Sequence, residues 1–245
     1  MPLVWGLLHD PDLQPVFDLR FAVPSACADH IARGETDIGI LPLIEMARQK
    51  LPYFAETGIA SYGPVRSILL ISKVPFSQIR TLATDSGSRT SVMLAKIILA
   101  ESFGVEPELI SHAPELEPML QVADAALLIG DAALRVEPAK LSYATLDLGE
   151  EWTRLTRLPM VFAVWAGRKE HMTQARGDAL LASCRYGHSH LDEIVPQEAD
   201  KRQLPEELVR AYFTRHIIHE LDQKAHEAIA LYLKNAARFE PALVG

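Results

Sequence analysis

Cysteine is scarce in this chain. Its 245 residues include two, Cys27 and Cys184, far apart and with no CxxC pair. That excludes a disulfide framework, and the cysteine spacing of the common zinc motifs is missing. Long apolar runs are lacking as well: no stretch approaches the ~20 residues that cross a bilayer. The start, MPLVWGLLHDPDLQP, has no basic segment, and its apolar run is too short for a signal peptide. Basic residues are outnumbered, 24 Lys and Arg against 32 Asp and Glu, for a net charge of −8. That speaks against nucleic acid or an anionic membrane as partner. It leaves a small anionic ligand open, because a local pocket can oppose the global sign. A soluble protein in a reducing cytoplasm is expected.

Motif-labelled chemistry is missing too. There is no GxSxG, no GxxxxGK[ST] and no HExxH. HIIHELDQKAH (216–226) holds His216, His219, Glu220 and His226, but its glutamate follows the second histidine. It reads as the solvated face of a helix, and no metal is expected. His188 and His190, in YGHSH, fall in loop-like context.

What is present is an ordinary globular composition, 49% apolar and 23% charged. A chain of this length buries roughly 70–75% of its extended surface, so it needs no staple. Short apolar runs alternate with helical patterns. Strands are predicted at 16–23, 36–43, 57–63, 65–74, 81–84, 108–112, 124–131, 143–149 and 158–167. Helices are predicted at 24–34, after residue 88, at 114–123 and 150–156, and then throughout 173–186 and 205–239. The alternation implies an α/β fold with largely parallel sheets. Residues 79–162 form one lobe. Residues 1–78 and 163–245 form the other, with crossings near 72–80 and 160–168. A cleft between such lobes suits a small ligand.

One helix start stands out. TDSGSRTSVMLAKIIL (84–99) crowds hydroxyls and an arginine ahead of an apolar helix. A helix N-terminus exposes unpaired N–H groups and a partial positive charge, which together attract anions. Ser88, Thr90 and Ser91 add hydroxyl donors and Arg89 a guanidinium. No Glu or Gln closes a capping box, so these donors stay available to an outside acceptor. The alternative is that Ser88 simply caps the helix. SYGPVRS (61–67) is a tight turn into an apolar strand, with Ser61 and Ser67 flanking Gly63 and Pro64. LLIGD (127–131) ends a strand at Gly130 and Asp131, where ligands collect in open α/β sheets. Asp131 also reads as a helix cap.

Together these segments resemble a known family. IASYGPVRSILLISKVPFSQIRTLATDSGSRTSVMLAKIIL, ADAALLIGDAAL, DLGEEWTRLTRLPMVFAVWA and the upstream ARGETDIGILPLIEMAR are similar to the chorismate dehydratases of the futalosine route to menaquinone. The resemblance runs from about residue 2 to 240 and is weakest after Gly167. It implies a two-lobed fold like the type II periplasmic binding proteins. It implies conversion of chorismate, a dianion, to 3-[(1-carboxyvinyl)oxy]benzoate by loss of water, without metal or redox cofactor. It also implies that the substrate's own side-chain carboxylate can take the proton. Ser88, Arg89, Thr90 and Ser91 match the family's SRTS and are expected to bind substrate. Ser67 matches the serine of GPVxS and is expected to assist the elimination. Ser61, Gly63 and Val65 would line the same wall, and Gly130 and Asp131 would position the ligand. In one respect the sequence departs from the family. Members usually begin with a strand and a SYLNT-like turn whose asparagine matters for catalysis; here PLVWGL follows Met1 directly, and the only asparagine is Asn235. An open sheet edge is expected where that strand would lie. Two other functions stay open: a cytoplasmic small-carboxylate-binding protein without catalysis, and the related dihydroxynaphthoate-forming enzyme.

Overall fold

The computed structural model describes residues 1–85 and 89–244. Among these described residues, nine strands make two sheets. They are β1 (Ile38–Pro42), β2 (Tyr53–Ser61), β3 (Ile68–Ser72), β4 (Thr81–Thr84), β5 (Glu108–Ser111), β6 (Ala125–Ile129), β7 (Ala144–Asp147), β8 (Met160–Gly167) and β9 (Ile218–Glu220). One sheet has the order β1-β8-β2-β9 and the other β5-β4-β6-β3-β7. Eleven α-helices among the described residues cover them. In chain order these are α1 (Pro2–His9), α2 (Pro24–Ala32), α3 (Leu43–Arg48), α4 (Arg89–Phe103), α5 (Leu116–Val122), α6 (Gly130–Leu134), α7 (Leu148–Thr156), α8 (Gln174–Ser189), α9 (Leu191–Arg202), α10 (Glu206–Ala211) and α11 (Gln223–Ala236).

The most apolar runs become interior strands. β8 is buried along its whole length between β1 and β2, and β3 is buried between β6 and β7. Side-chain alternation divides β3 between two cores. Ile68 and Leu70 face a large core with Leu82, Leu94, Val164 and Trp152. Leu69 and Ile71 face a smaller one with Met119 and Leu128. The large core draws on both sheets, so they pack through one apolar interior.

The sheets are less parallel than expected. The four-stranded sheet pairs antiparallel throughout. In the other, β4 runs parallel to β5 and β6, while β3 opposes β6 and β7. The cause is exchange: β3 enters the five-stranded sheet from the other sheet, and β8 makes the return journey, so each runs against its neighbours. The chain therefore passes between sheets at 62–67 and 148–159, not at 72–80 and 160–168. The segments 57–63 and 65–74, which in sequence look like strands meeting at the Gly63-Pro64 turn, belong to different sheets.

Three other expectations fail. Residues 16–23 form no strand: a 3-10 turn, Gln14–Val16, precedes an unpaired stretch in which Phe21 and Val23 are 67% and 63% exposed. β propensity alone does not make a strand. β1 is the outermost strand of its sheet. The region 205–239 is not helical throughout either. After α10 a π-helical turn, Tyr212–His216, reverses the chain, and β9 then pairs with the free edge of β2. Tertiary pairing overrides helical periodicity in this β-branched stretch. His188 lies in α8 rather than in a loop.

Candidate functional site

The topology of the five-stranded sheet gathers the loops singled out in the sequence. β4, β6 and β7 run one way and β3 the other. The edge where β4, β6 and β7 end is therefore the edge where β3 begins. Arg89–Ser91 follow β4, Gly130 and Asp131 follow β6, Ser67 precedes β3, and Asp147 ends β7. With neighbouring strands ~4.8 Å apart, these groups form one row.

The 61–67 loop is held by the chain after β7. The Asp147 carboxylate accepts from Val65 N at 3.0 Å and Arg66 N at 2.6 Å. It also caps α7, accepting from Gly149 N and Glu150 N. One carboxylate thus uses its roughly four acceptor sites to join the two crossings. Gly63 N donates to Thr153 Oγ1 at 2.9 Å, and Gly130 N donates to Ser67 O at 2.8 Å. Gly63 has φ +86°, a left-handed conformation that glycine adopts without strain. Arg66, also left-handed at φ +65°, donates its guanidinium to the carbonyls of Ala133 and Val136. Arg66 is therefore a strut of the loop.

Ser67 Oγ lies 3.0 Å from Tyr212 OH. Burial pushes the Tyr212 phenol up, opposed by its bond to Ser67. From the same π-helical turn, His216 Nδ1–H donates to Pro64 O at 2.8 Å. Tyr212, Gly130 and Asp131 line a cavity of about 200 Å³, closed by Leu134, Leu208 and Phe213. Asp131 does not cap α6, a position held by Ile129. Its carboxylate accepts from Arg202 Nε at 3.2 Å, and Arg202 also pairs with Glu198. Ser61 and Val65 are fully buried behind the loop. Ser61 Oγ has no hydrogen-bond partner among the described residues.

The α4 start differs from expectation. Its donors do not all wait for an outside acceptor, because α3 already supplies groups that bind them. Arg89 reaches the buried carboxylate of Glu45 at 2.9 Å and Asp29 at 3.6 Å. Thr90 Oγ1 accepts from Ile44 N at 3.3 Å, and Thr90 O accepts from Tyr232 OH. Ser91 is buried in the first turn. Ser88 lies outside the described residues.

Three residues of this region escaped the sequence reading. Asp147 had a signal, as the cap ahead of Gly-Glu-Glu-Trp. Tyr212 was visible only as part of the helix predicted over 205–239, and Arg202 had no signal. Among the described residues, the one cluster of three or more metal-ligating side chains is Cys184, His188 and His219.

Comparison with known proteins bears on this arrangement. The chorismate dehydratase of Thermus thermophilus is 28% identical over 270 residues, spanning 98% of this chain and 99% of that protein. A solved protein of Archaeoglobus fulgidus superimposes with a TM-score of 0.69 at 15% identity, over 98% of this chain and 93% of its own. The periplasmic aliphatic sulphonate binding protein SsuA of Escherichia coli gives a TM-score of 0.69 at 15% identity, over 99% and 84%. These structures share the two-lobed fold of type II binding proteins. The menaquinone biosynthesis model matches residues 1–238, and the chain belongs to that family.

Proposed function

We propose that the chain dehydrates chorismate to 3-[(1-carboxyvinyl)oxy]benzoate. The observation that carries this is the row of loop ends along one sheet edge, with the Ser67 hydroxyl bonded to Tyr212, which with Gly130 and Asp131 lines a small cavity. At about 200 Å³ that cavity is smaller than the ~300–1,000 Å³ typical of drug-sized ligands, which suits a single-ring acid. The named activity of the Thermus relative supports the same substrate.

The reaction is redox-neutral. The C–H bond at the ether-bearing ring carbon breaks and its electron pair enters the ring. The C–O bond to the neighbouring hydroxyl breaks, and proton and hydroxide leave as water. Aromatisation drives the step, so positioning matters more than a strong base. The substrate's side-chain carboxylate takes the proton. Tyr212 donates to Ser67 Oγ, which frees the Ser67 O–H to donate to the departing hydroxyl. Ser61, Gly63 and Val65 form the wall, and Gly130 and Asp131 position the ring. Ser88, Arg89, Thr90 and Ser91 hold a carboxylate. Arg89 has five N–H donors, so it can keep Glu45 and still offer a bond. The two lobes, one built on each sheet, close over the ligand.

The test is to mix the purified chain with chorismate and follow the aromatic product by liquid chromatography. Ser67→Ala should lower kcat by about 10²- to 10⁴-fold, the usual worth of a positioned proton donor. Chorismate that binds without turnover in the unaltered chain would favour the non-catalytic binding protein instead.

A further inference from the structure

The geometry points to a transition-metal site formed by Cys184 Sγ, His188 Nε2 and His219 Nδ1, with Zn²⁺ as its reference occupant. It does not depend on the chorismate proposal.

Local structure brings the three groups together. Cys184 and His188 are four apart on α8, so they share one face of that helix. His219 is the middle residue of β9. Alternation turns Ile218 and Glu220 outward and His219 inward, against α8. Thr57 Oγ1 donates to His219 O at 2.9 Å and fixes the β9 backbone there. His188 Nε2 and His219 Nδ1 lie 3.0 Å apart, their rings inclined at 62°. The ligand atoms of all three residues lie within 4.8 Å of one another. A tetrahedral Zn²⁺ holds nitrogen and sulfur at about 2.0–2.3 Å, which sets its donors roughly 3.3–3.6 Å apart. Small side-chain shifts would close the cluster on an ion.

The donor set selects the class of ion. One thiolate and two imidazoles suit a borderline-soft ion such as Zn²⁺ and are poor ligands for Mg²⁺ or Ca²⁺. Burial pushes His219 down to about 3, so its ring is in the neutral, ligating form. Cys184 is buried, and burial holds its thiol protonated; on ligation the proton passes to solvent. Three protein ligands leave a fourth position. His219 also lines the cavity beside Tyr212, so the ion would sit at that cavity's wall. It would also tie β9, and with it the chain that follows the π-helical turn, to α8.

The full chain, stripped with a chelator, is titrated with Co²⁺ and separately with Zn²⁺. One Co²⁺ should bind per chain and give a thiolate-to-cobalt charge-transfer band. Cys184→Ser should abolish the band, while Cys27→Ser keeps it. His188→Gln should weaken Zn²⁺ binding by about tenfold or more, the scale of losses seen even for outer-shell changes. His188 is only half-buried, so this variant is the safeguard if Cys184→Ser fails to fold. At the same concentration, Zn²⁺ should raise the melting temperature of the unaltered chain more than that of His188→Gln. Absence of the band, or binding unchanged in both Cys184→Ser and His188→Gln, would overturn the site. The trio would then be a hydrogen-bonded histidine pair beside a buried thiol.

Discussion

At the residue scale, Ser61 offers an unusual test. Its hydroxyl is fully buried and has no partner among the described residues. Leaving a buried polar group unpaired costs about 1–3 kcal/mol. Removing it should relieve part of that cost, so Ser61→Ala should unfold at equal or higher urea concentration. If the hydroxyl serves the ligand, the same variant should bind chorismate more weakly. A calorimetric titration beside a urea melt separates the two effects, and unchanged affinity would remove Ser61 from the site. Arg89 presents the opposite case. It is one of two arginines on the buried Glu45 carboxylate. Arg89→Ala should cost about 1.5–3 kcal/mol, the worth of a hydrogen bond to a charged group. Adding Glu45→Gln should restore much of that stability without restoring chorismate affinity. If the double variant recovers both, Arg89 is only Glu45's partner.

At the scale of elements, the two crossings form one unit. A Cβ at Gly149 would lie 2.7 Å from Ser61 Oγ, 2.9 Å from Val65 Cβ and 3.0 Å from Gly63 O. The first turn of α7 therefore needs glycine to let the 61–67 loop approach. Gly149→Ala should destabilise by about 1–3 kcal/mol, as overpacking does. It should also raise KM for chorismate, because the loop it pushes carries Ser67. A melt with steady-state kinetics checks both. None of this was legible in DLGEEW beyond the Asp147 cap, since it depends on which loop lies opposite. The buried strands were legible because continuous apolar runs such as ILLIS and AALLI suit a sheet covered on both faces. Strand direction was not, because it follows from β3 and β8 exchanging sheets. β9 was hidden as well. The residues 216–220 fall inside the helix predicted over 205–239, and only the free edge of β2 makes Ile218–Glu220 a strand. The same error concealed His219, whose inward position depends on a period of two. The candidate site was legible where loops carried dense hydroxyls and glycines, and illegible where α9 and the π-helical turn bring Arg202 and Tyr212 to it from far along the chain.

At the scale of the whole molecule, the candidate catalytic serine sits where the chain passes from one sheet to the other. In a two-lobed fold, the crossings are where one lobe can turn against the other. Here they are joined by Asp147 and Thr153, and the π-helical turn adds Tyr212 on Ser67 and His216 on Pro64. The segment that closes the cavity therefore also fixes the crossing. A ligand that contacts Ser67 and the cavity wall together acts on both. Tyr212→Phe keeps the packing and removes one hydrogen bond, worth about 1 kcal/mol, or roughly fivefold in local opening. Amide exchange in 61–67 should quicken by about that factor in the free protein, and chorismate should slow it again in both forms. If Tyr212 aims the Ser67 hydroxyl, kcat should fall while KM stays nearly constant. A phenol that only fills space would leave exchange and kcat unchanged on replacement by phenylalanine, and the link between the cavity and the crossing would then rest on His216 and Pro64 alone.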